Sequence, residues 1–219
     1  MNDKFRKIDF ETWERKDNYK VFTEFMPCGI QMNANVDITD LIKELKRLNL
    51  RCYATFAYII TKIINSYDEF KTGLNKDGEL VIFNKRHVRY PIFDDETKTV
   101  SILWSEYKED FKEFYDNFLS DCSKYGKAHS MNAKGGFPEN FYDLTSIPWT
   151  TFTSFNCECN VNKVFPPFVA IGKFFKQGEK ILLPVNIKVH HAVCDGYHVS
   201  RFFEEFELLS KDFKSFINL

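Results

Sequence analysis

Three of the five histidines in this 219-residue chain lie within nine residues, in the segment KVHHAVCDGYHVSRF, residues 188–202. An imidazole has an ordinary pKa of ~6.5, so it can move protons near neutral pH, and it is also a common metal ligand. Cys194, Asp195 and Gly196 lie among the histidines. The segment could therefore bind a metal, form a buried structural turn, or carry the base of an enzyme.

A metal site would take its ligands from these histidines and their neighbours: His190, His191, Cys194, Asp195 and His198. Adjacent residues of a strand point to opposite faces, so His190 and His191 cannot easily share one ion. A catalytic zinc needs three converging protein ligands, and the spacing disfavours that arrangement. The structural alternative is that Asp195 caps a final helix and the histidines are hydrogen-bonded within the turn.

The catalytic alternative makes His191 a general base. It would take a proton from a hydroxyl or thiol while that group attacks a carbonyl carbon. Such a base needs a fixed ring orientation, and Asp195, four residues later, could help to hold it. A buried carboxylate in turn needs a cation, and the planar fork of an arginine would suit it.

The composition is that of a globular protein, with 44% hydrophobic and 28% charged residues. The 24 phenylalanines indicate a large core, an aromatic pocket, or both. A net charge of −1 supplies no basic field for nucleic acid. The polar first twenty residues and the lack of long apolar runs predict no secretory signal, no membrane span and a cytoplasmic location. The six cysteines form no C-x-x-C pair and are expected to be free thiols.

Hydrophobic periodicity predicts one α+β domain over residues 1–219, with a mixed, largely antiparallel sheet and helices packed on it. Strands are predicted in YKVFTEFMPCGIQMNANVDI, ELVIFNKRHVRYPIF and KTVSILWSEY, and later apolar runs are WTTFTSFNCECN, FVAIGKFFKQ and KILLPVNIKVHHAV. Helices are predicted in DLIKELKRLN (capped by Asp37 or Thr39), YATFAYIITKIINSYDEF, DFKEFYDNFLSDCSKY and the segment after CDG. Residues 126–146 are predicted to be irregular.

The segment HHAVCDG is similar to the H-H-x-x-x-D-G signature of the coenzyme A-dependent acyltransferase superfamily, and the chain as a whole resembles the chloramphenicol acetyltransferase family. The further matches are WERKDNYKVF, MPCGI, SYDEFKTGLNKDGEL, DFKEFYDNFLSD, PENFYDLTSIPWTTFTSFN and ILLPVNIKVHH. The matches run in order from Trp13 to Phe203. The resemblance implies a two-layer α+β sandwich and acetyl transfer from acetyl-CoA to chloramphenicol, which gives antibiotic resistance.

The resemblance also implies roles for individual residues. His191, the second histidine of the signature, would be the base, and Asp195 would pair with Arg15, two residues after Trp13. The family's oxyanion donor is a serine four residues before the tryptophan of a P-W pair. Thr145 occupies that place here, and Ser146 is the alternative donor.

The implied acceptor pocket contains Phe22 at a position where the family usually has a tyrosine, so a hydroxyl contact is lost. Its other members are Cys28, Phe155, Cys157, Cys159 and Phe168. Arg51 and Lys173 match basic residues that contact coenzyme A in the family. The resemblance implies no metal, and a homotrimer in which His191 of one subunit faces the acceptor pocket of its neighbour.

Two other functions stay open. An acyltransferase of the same fold could act on a different hydroxyl acceptor, which Phe22 and Thr145 would favour. A non-catalytic trimeric binding protein could keep the fold, although intact Arg15, His191 and Asp195 argue against it.

Overall fold

A computed structural model describes residues 4–158 and 165–217, and its strands form two sheets. The strands are β1 (Phe5–Lys7), β2 (Gly29–Asp37), β3 (Thr72–Leu74), β4 (Leu80–Phe83), β5 (His87–Asp94), β6 (Thr99–Ser105), β7 (Phe141–Ile147), β8 (Phe168–Gly172), β9 (Phe175–Gln177) and β10 (Lys180–His190). The large sheet has the order β2-β10-β8-β7-β5-β6, with β9 also beside β10. The small sheet has the order β1-β4-β3.

The helices are α1 (Lys16–Lys20), α2 (Thr39–Arg47), α3 (Cys52–Ser66), α4 (Asp68–Lys71), α5 (Phe111–Tyr125) and α6 (Gly196–Lys211). A π-helical turn, Val21–Phe25, continues α1, and a 3-10 turn, Phe213–Phe216, follows α6. The Asp110 carboxylate accepts a hydrogen bond from the Glu113 backbone N–H and so caps α5. Among the described residues, none of these helices has both the length and the apolar character that a membrane crossing requires.

The large sheet is mixed. Strand β10 runs antiparallel to β2, β8 and β9, and β5 runs antiparallel to β6. The β5–β7 and β7–β8 pairs are parallel. The predicted α+β fold, with a mixed and largely antiparallel sheet, is confirmed.

Helices α3, α5 and α6 contact one another and the sheet, and the core fills the space between them. Helix α3 is apolar nearly all round, and ten of its fifteen residues are buried. Many of the numerous phenylalanines lie in this core, where each buried ring contributes roughly 1.5–3 kcal/mol of transfer free energy. They include Phe56, Phe70, Phe111, Phe114, Phe118, Phe202 and Phe206.

Two predictions of local structure are wrong. The segment 19–25 is helical rather than extended, because one helical face brings Tyr19 against Phe165 and Phe22 against the ring of His191. Residues 141–147 form strand β7 rather than an irregular loop, since parallel pairing with β5 and β8 satisfies their backbone. By contrast, the apolar run at 149–158 contains no strand.

A buried arginine, Arg86, ties the small sheet to the large one. Its three guanidinium nitrogens donate to the backbone carbonyls of Phe70, Thr72 and Phe141, at 2.7, 2.9 and 2.7 Å. The Asn65 side chain binds the Arg86 backbone on both its N–H and its carbonyl. Two buried carbonyls, those of Phe70 and Thr72, and the partly buried carbonyl of Phe141 therefore depend on one side chain, which also fixes the start of β7.

We predict that Arg86→Leu lowers the free energy of unfolding by at least ~3 kcal/mol, because unsatisfied buried carbonyls cost ~1–3 kcal/mol each. Urea titration followed by circular dichroism measures this. Arg47→Leu is the matched control, since Arg47 is exposed and, within the described residues, forms an ion pair with Glu44 of its own helix alone. That variant should change stability by less than ~1 kcal/mol. Equal effects of the two substitutions would contradict this role of Arg86.

Candidate active site

The histidine segment forms the connection between the end of β10 and the start of α6. His190, the last residue of β10, lies opposite Gly29 of β2. The backbone N–H of His191 donates to the Cys28 carbonyl at 3.1 Å, and the N–H groups of Val193 and Cys194 donate to the His190 carbonyl. Backbone hydrogen bonds therefore fix the turn before any side chain acts.

The side chain of His191 is held in one orientation. Its Nδ1 lies 3.0 Å from the Cys194 carbonyl oxygen, which can only accept, so Nδ1 carries the proton. In the neutral ring this leaves the lone pair on Nε2. The ring of Phe22 stacks on the imidazole, with 3.9 Å between centroids and 18° between planes. The result is a half-buried imidazole with a fixed orientation, whose neutral tautomer has its lone pair on Nε2.

Arg15 and Asp195 form a bidentate ion pair beside this imidazole. The Nη1–Oδ2 and Nη2–Oδ1 distances are 2.6 and 3.1 Å, and Nη2 lies 3.4 Å from the His191 carbonyl oxygen. The hydrogen bond from Arg15 lowers the pKa of Asp195 from its ordinary value. The Asp195 side chain is 37% exposed, so the pair is only partly buried, whereas the sequence predicts a buried carboxylate. The pair anchors the turn, and Asp195 Oδ1 lies 3.4 Å from His191 Nδ1.

The other two histidines of the segment have structural contacts. His190 is buried, accepts the Ala192 N–H on Nδ1 and stacks on Phe165 with 4.4 Å between centroids. His198 accepts the Asp195 N–H on Nδ1 at 2.9 Å, and its Nε2 lies 3.4 Å from Glu69 Oε1. Within 4–158 and 165–217 no three His, Cys, Asp or Glu side chains are grouped to hold a metal. That no metal is needed remains a prediction.

A cavity of ≈ 430 Å³ brings together four of the predicted site residues, Thr145, Phe155, Cys157 and Phe168. The remaining lining is Arg89, Tyr90, Pro91, Ile102, Met131, Phe137, Asp143 and Leu144. Phe22 and Cys28 are not among the lining residues but lie beside His191. Cys159 lies outside the described residues. The predicted acceptor residues are thus divided between this cavity, which we call the β7 cavity, and the surroundings of His191.

Thr145 and Ser146 point to opposite faces of β7, as successive strand residues do. Thr145 lines the β7 cavity, whereas Ser146 lines a smaller cavity of ≈ 150 Å³ together with Lys173. Arg51 is exposed and directly precedes Cys52, another residue of this smaller cavity. The two predicted basic residues therefore lie near the same opening.

The strand register separates Thr145 from His191. Thr145 lies opposite Ala170 of β8, and Ala170 lies opposite Asn186 of β10. His191 is five residues beyond Asn186, which amounts to roughly 16 Å along the strand, with roughly 10 Å more across two strand spacings. Within one chain, the imidazole and the Thr145 hydroxyl cannot act on the same atom.

Arg89 and Asp143 line the β7 cavity and are absent from the sequence prediction. Arg89 Nε and Nη2 lie 2.6 and 2.8 Å from the two Asp143 carboxylate oxygens. Their pairing follows from the parallel register of β5 and β7, in which Arg89 lies opposite Asp143. Because residues 126–146 are predicted to be irregular, this neighbour could not be foreseen. The sequence feature that could have pointed to this pair is the charged residue Arg89 within the largely apolar strand β5.

The chain is similar to known proteins over most of its length. A family model described as chloramphenicol acetyltransferase matches residues 1–207. A chloramphenicol acetyltransferase of Clostridium perfringens is 39% identical over 215 residues, covering 98% of each chain. A solved chloramphenicol acetyltransferase superposes with a TM-score of 0.83 at 21% identity, covering 94% of this chain and 100% of the other. The dihydrolipoamide acetyltransferase of Azotobacter vinelandii superposes with a TM-score of 0.61 at 16% identity, covering 91% and 88%.

We predict that Asp195→Asn lowers the free energy of unfolding by ~1.5–3 kcal/mol at pH 7, because Arg15 loses a charged hydrogen-bond partner. A carboxyl with a lowered pKa stabilises the fold above its ordinary pKa of ~3.9, and this stabilisation is lost as pH falls through the lowered value. The difference between variant and parent should therefore shrink below pH ~3.9. Urea titrations at pH 7 and at a pH below ~3.9 measure this difference. Asp40→Asn, in an exposed pair with Lys43, is the control and should change stability little at either pH. A difference that persists unchanged at low pH would contradict the assignment.

Proposed function

Because the chain belongs to the chloramphenicol acetyltransferase family and is an acyltransferase, we propose that it transfers an acetyl group from acetyl-CoA to a hydroxyl of chloramphenicol. This activity would give resistance to the antibiotic in the cytoplasm, where acetyl-CoA is available. The observation that carries the proposal is the His191 imidazole, whose Nδ1 proton is held by the Cys194 carbonyl. It is the arrangement that a general base acting through Nε2 requires.

The proposed reaction is a direct transfer. Nε2 of His191 removes the proton of the acceptor hydroxyl while its oxygen attacks the thioester carbonyl. The tetrahedral oxyanion accepts a hydrogen bond from the Thr145 hydroxyl. Its collapse breaks the carbon–sulfur bond, and the imidazolium returns the proton to the thiolate. The products are the acetyl ester and the free thiol of coenzyme A.

We propose further that the protein is a homotrimer whose active sites lie between subunits. The separation of His191 from Thr145 within one chain supports this, because the base and the oxyanion donor must meet at one carbonyl. The surface next to Phe22 supports it as well. Phe25 is 80% and Met26 57% exposed there, an apolar surface that a neighbouring subunit would cover. His191 of one subunit would then face the β7 cavity of the next.

Acetyl-CoA would approach from the opening near Arg51 and Lys173. Lys173 lines the smaller cavity on the opposite face of β7, and Arg51 directly precedes Cys52, another of its lining residues. A phosphate of the coenzyme would pair with exposed ammonium and guanidinium groups, which bind such anions. No step of the proposed reaction needs a metal, so dialysis against a chelator should leave it unchanged.

An acyltransferase with another acceptor is the second candidate, because Phe22 offers a ring without a hydroxyl next to the base. Thiol release from acetyl-CoA with and without chloramphenicol separates the candidates. Release that depends on the drug supports the main proposal, and release only with another alcohol supports the second. Failure with every acceptor would support a non-catalytic binding protein.

We predict that His191→Ala lowers turnover by at least ~10²-fold, the usual contribution of a positioned general base. His190→Asn is the matched control, because the asparagine oxygen can still accept the Ala192 N–H. Its loss of turnover should be far smaller once activity is normalised to folded protein. Thiol release and circular dichroism of the same samples provide both measurements. The opposite order would mean that the wrong histidine is assigned as the base.

We predict that Thr145→Val lowers turnover by ~10²–10³-fold, because it keeps the side-chain shape but removes the oxyanion donor. Thr145→Ser restores the family's usual residue and should keep or raise the rate. Ser146→Ala is the control on the opposite face of β7 and should have little effect. A crippled Ser146→Ala enzyme beside a mildly affected Thr145→Val enzyme would assign the donor to Ser146.

A further inference from the structure

We infer that the Arg89–Asp143 pair makes the β7 cavity selective for uncharged aromatic acceptors over ions of either sign. This inference rests on the proposed function only in taking the β7 cavity as the acceptor site. Both side chains line the cavity. Among the described residues, no other side chain of its lining carries a charge. Neither residue is the proposed base, His191, and neither belongs to the Arg15–Asp195 ion pair.

The two charges form a bidentate ion pair. Nε and Nη2 of Arg89 bind the two oxygens of Asp143 side by side, at 2.6 and 2.8 Å. Arg89 Cζ also lies over the Phe141 ring, 3.7 Å from its centroid, and 5.2 Å from that of Phe137. The Asp143 side chain is 27% exposed and that of Arg89 26%, so water screens the pair only in part.

A charged ligand in this cavity would lose water without gaining a free counterion. An anion drawn to the guanidinium also meets the Asp143 carboxylate, and a cation drawn to the carboxylate also meets the Arg89 guanidinium, so attraction and repulsion largely cancel for either ion. The water that a charged ligand loses on entering is therefore not compensated. Apart from the Thr145 hydroxyl, the rest of the lining is largely apolar or aromatic, and it includes Tyr90, Ile102, Phe137, Leu144, Phe155 and Phe168. An uncharged aromatic molecule can stack on these surfaces and leave the ion pair intact.

Specificity of this kind is exclusion: the compensated pair attracts neither ion, and the aromatic lining attracts any suitable ring. Neutralising one member of the pair should therefore make the cavity prefer ligands whose charge is opposite to that of the remaining member. Asp143→Asn leaves the guanidinium without its carboxylate and should favour anions. Arg89→Gln leaves the carboxylate alone and should favour cations. The double variant restores neutrality and should favour neither.

Three small probes of equal ring size test this by ligand-observed NMR titration without acetyl-CoA: 4-nitrobenzyl alcohol, 4-nitrobenzoate and protonated 4-nitrobenzylamine. The parent should bind the alcohol at least ~10-fold more tightly than either ion. Asp143→Asn should gain at least ~10-fold for the benzoate and Arg89→Gln a similar factor for the amine, through charge-assisted hydrogen bonds. Ile102→Trp, which fills the cavity, should remove binding of all three and so locate the probes.

The inference is overturned if the parent binds 4-nitrobenzoate or 4-nitrobenzylamine as tightly as the alcohol. It is also overturned if folded single variants keep the parent's order. Where one single variant does not fold, the other single variant still decides, because each should gain affinity for only one of the two ions, whereas the double variant should keep the parent's order. Acetyl transfer to chloramphenicol is measured separately on the parent. If the parent does not acetylate chloramphenicol, the proposed function is wrong. The titrations would then still decide, by themselves, whether the cavity prefers uncharged ligands.

Discussion

The hydrogen bond from His191 Nδ1 to the Cys194 carbonyl determines what this site can do chemically. A carbonyl oxygen accepts but cannot donate, so the bond selects one tautomer and leaves Nε2 as the basic atom. It requires a tight turn after β10, in which three backbone N–H groups bind the carbonyls of Cys28 and His190. The Arg15–Asp195 pair adds a side-chain link, which joins the N-terminal segment to the start of α6. Packing, charge pairing and base orientation therefore form one connected arrangement.

The sheet imposes a second constraint, because its register keeps the base and the hydroxyl of Thr145 apart. Strand β8 lies between β7 and β10, and His191 lies beyond the end of the strand that pairs with β8. No side-chain rotation closes a gap of this size, since rotamers move a threonine oxygen by only a few ångströms. The proposed direct transfer, in which His191 and Thr145 act on one carbonyl, consequently needs a second copy to supply the missing half. The exposed Phe25 and Met26, next to the stacked Phe22, provide a surface for such a contact.

Sequence patterns predicted the α+β class, the buried helix α3, the amphipathic helices α5 and α6, and the strand that precedes the histidine segment. These elements have strong periodicity and local caps, such as Asp110 at the start of α5. The patterns failed where distant partners decide the structure. Phe22 belongs to a run that reads as a strand, but its contact with His191 requires a helix. Asp143 belongs to a run without a clear period, and only pairing with β5 and β8 makes it a strand.

The same limit explains which site residues could be named from the sequence. Arg15 and Asp195 could be named together because a buried carboxylate needs a cation and a family motif supplied one. Arg89 and Asp143 had no such motif, and their meeting depends on a register that one sequence does not reveal. Phe22 is the converse case, because the family resemblance named it but its stacking on His191 became visible only in the structure. The ring holds the orientation of the imidazole, and it carries no hydroxyl. In the proposed reaction, orientation of the base and recognition of the acceptor are therefore separate tasks, and Phe22 can serve the first without a polar contact to the acceptor.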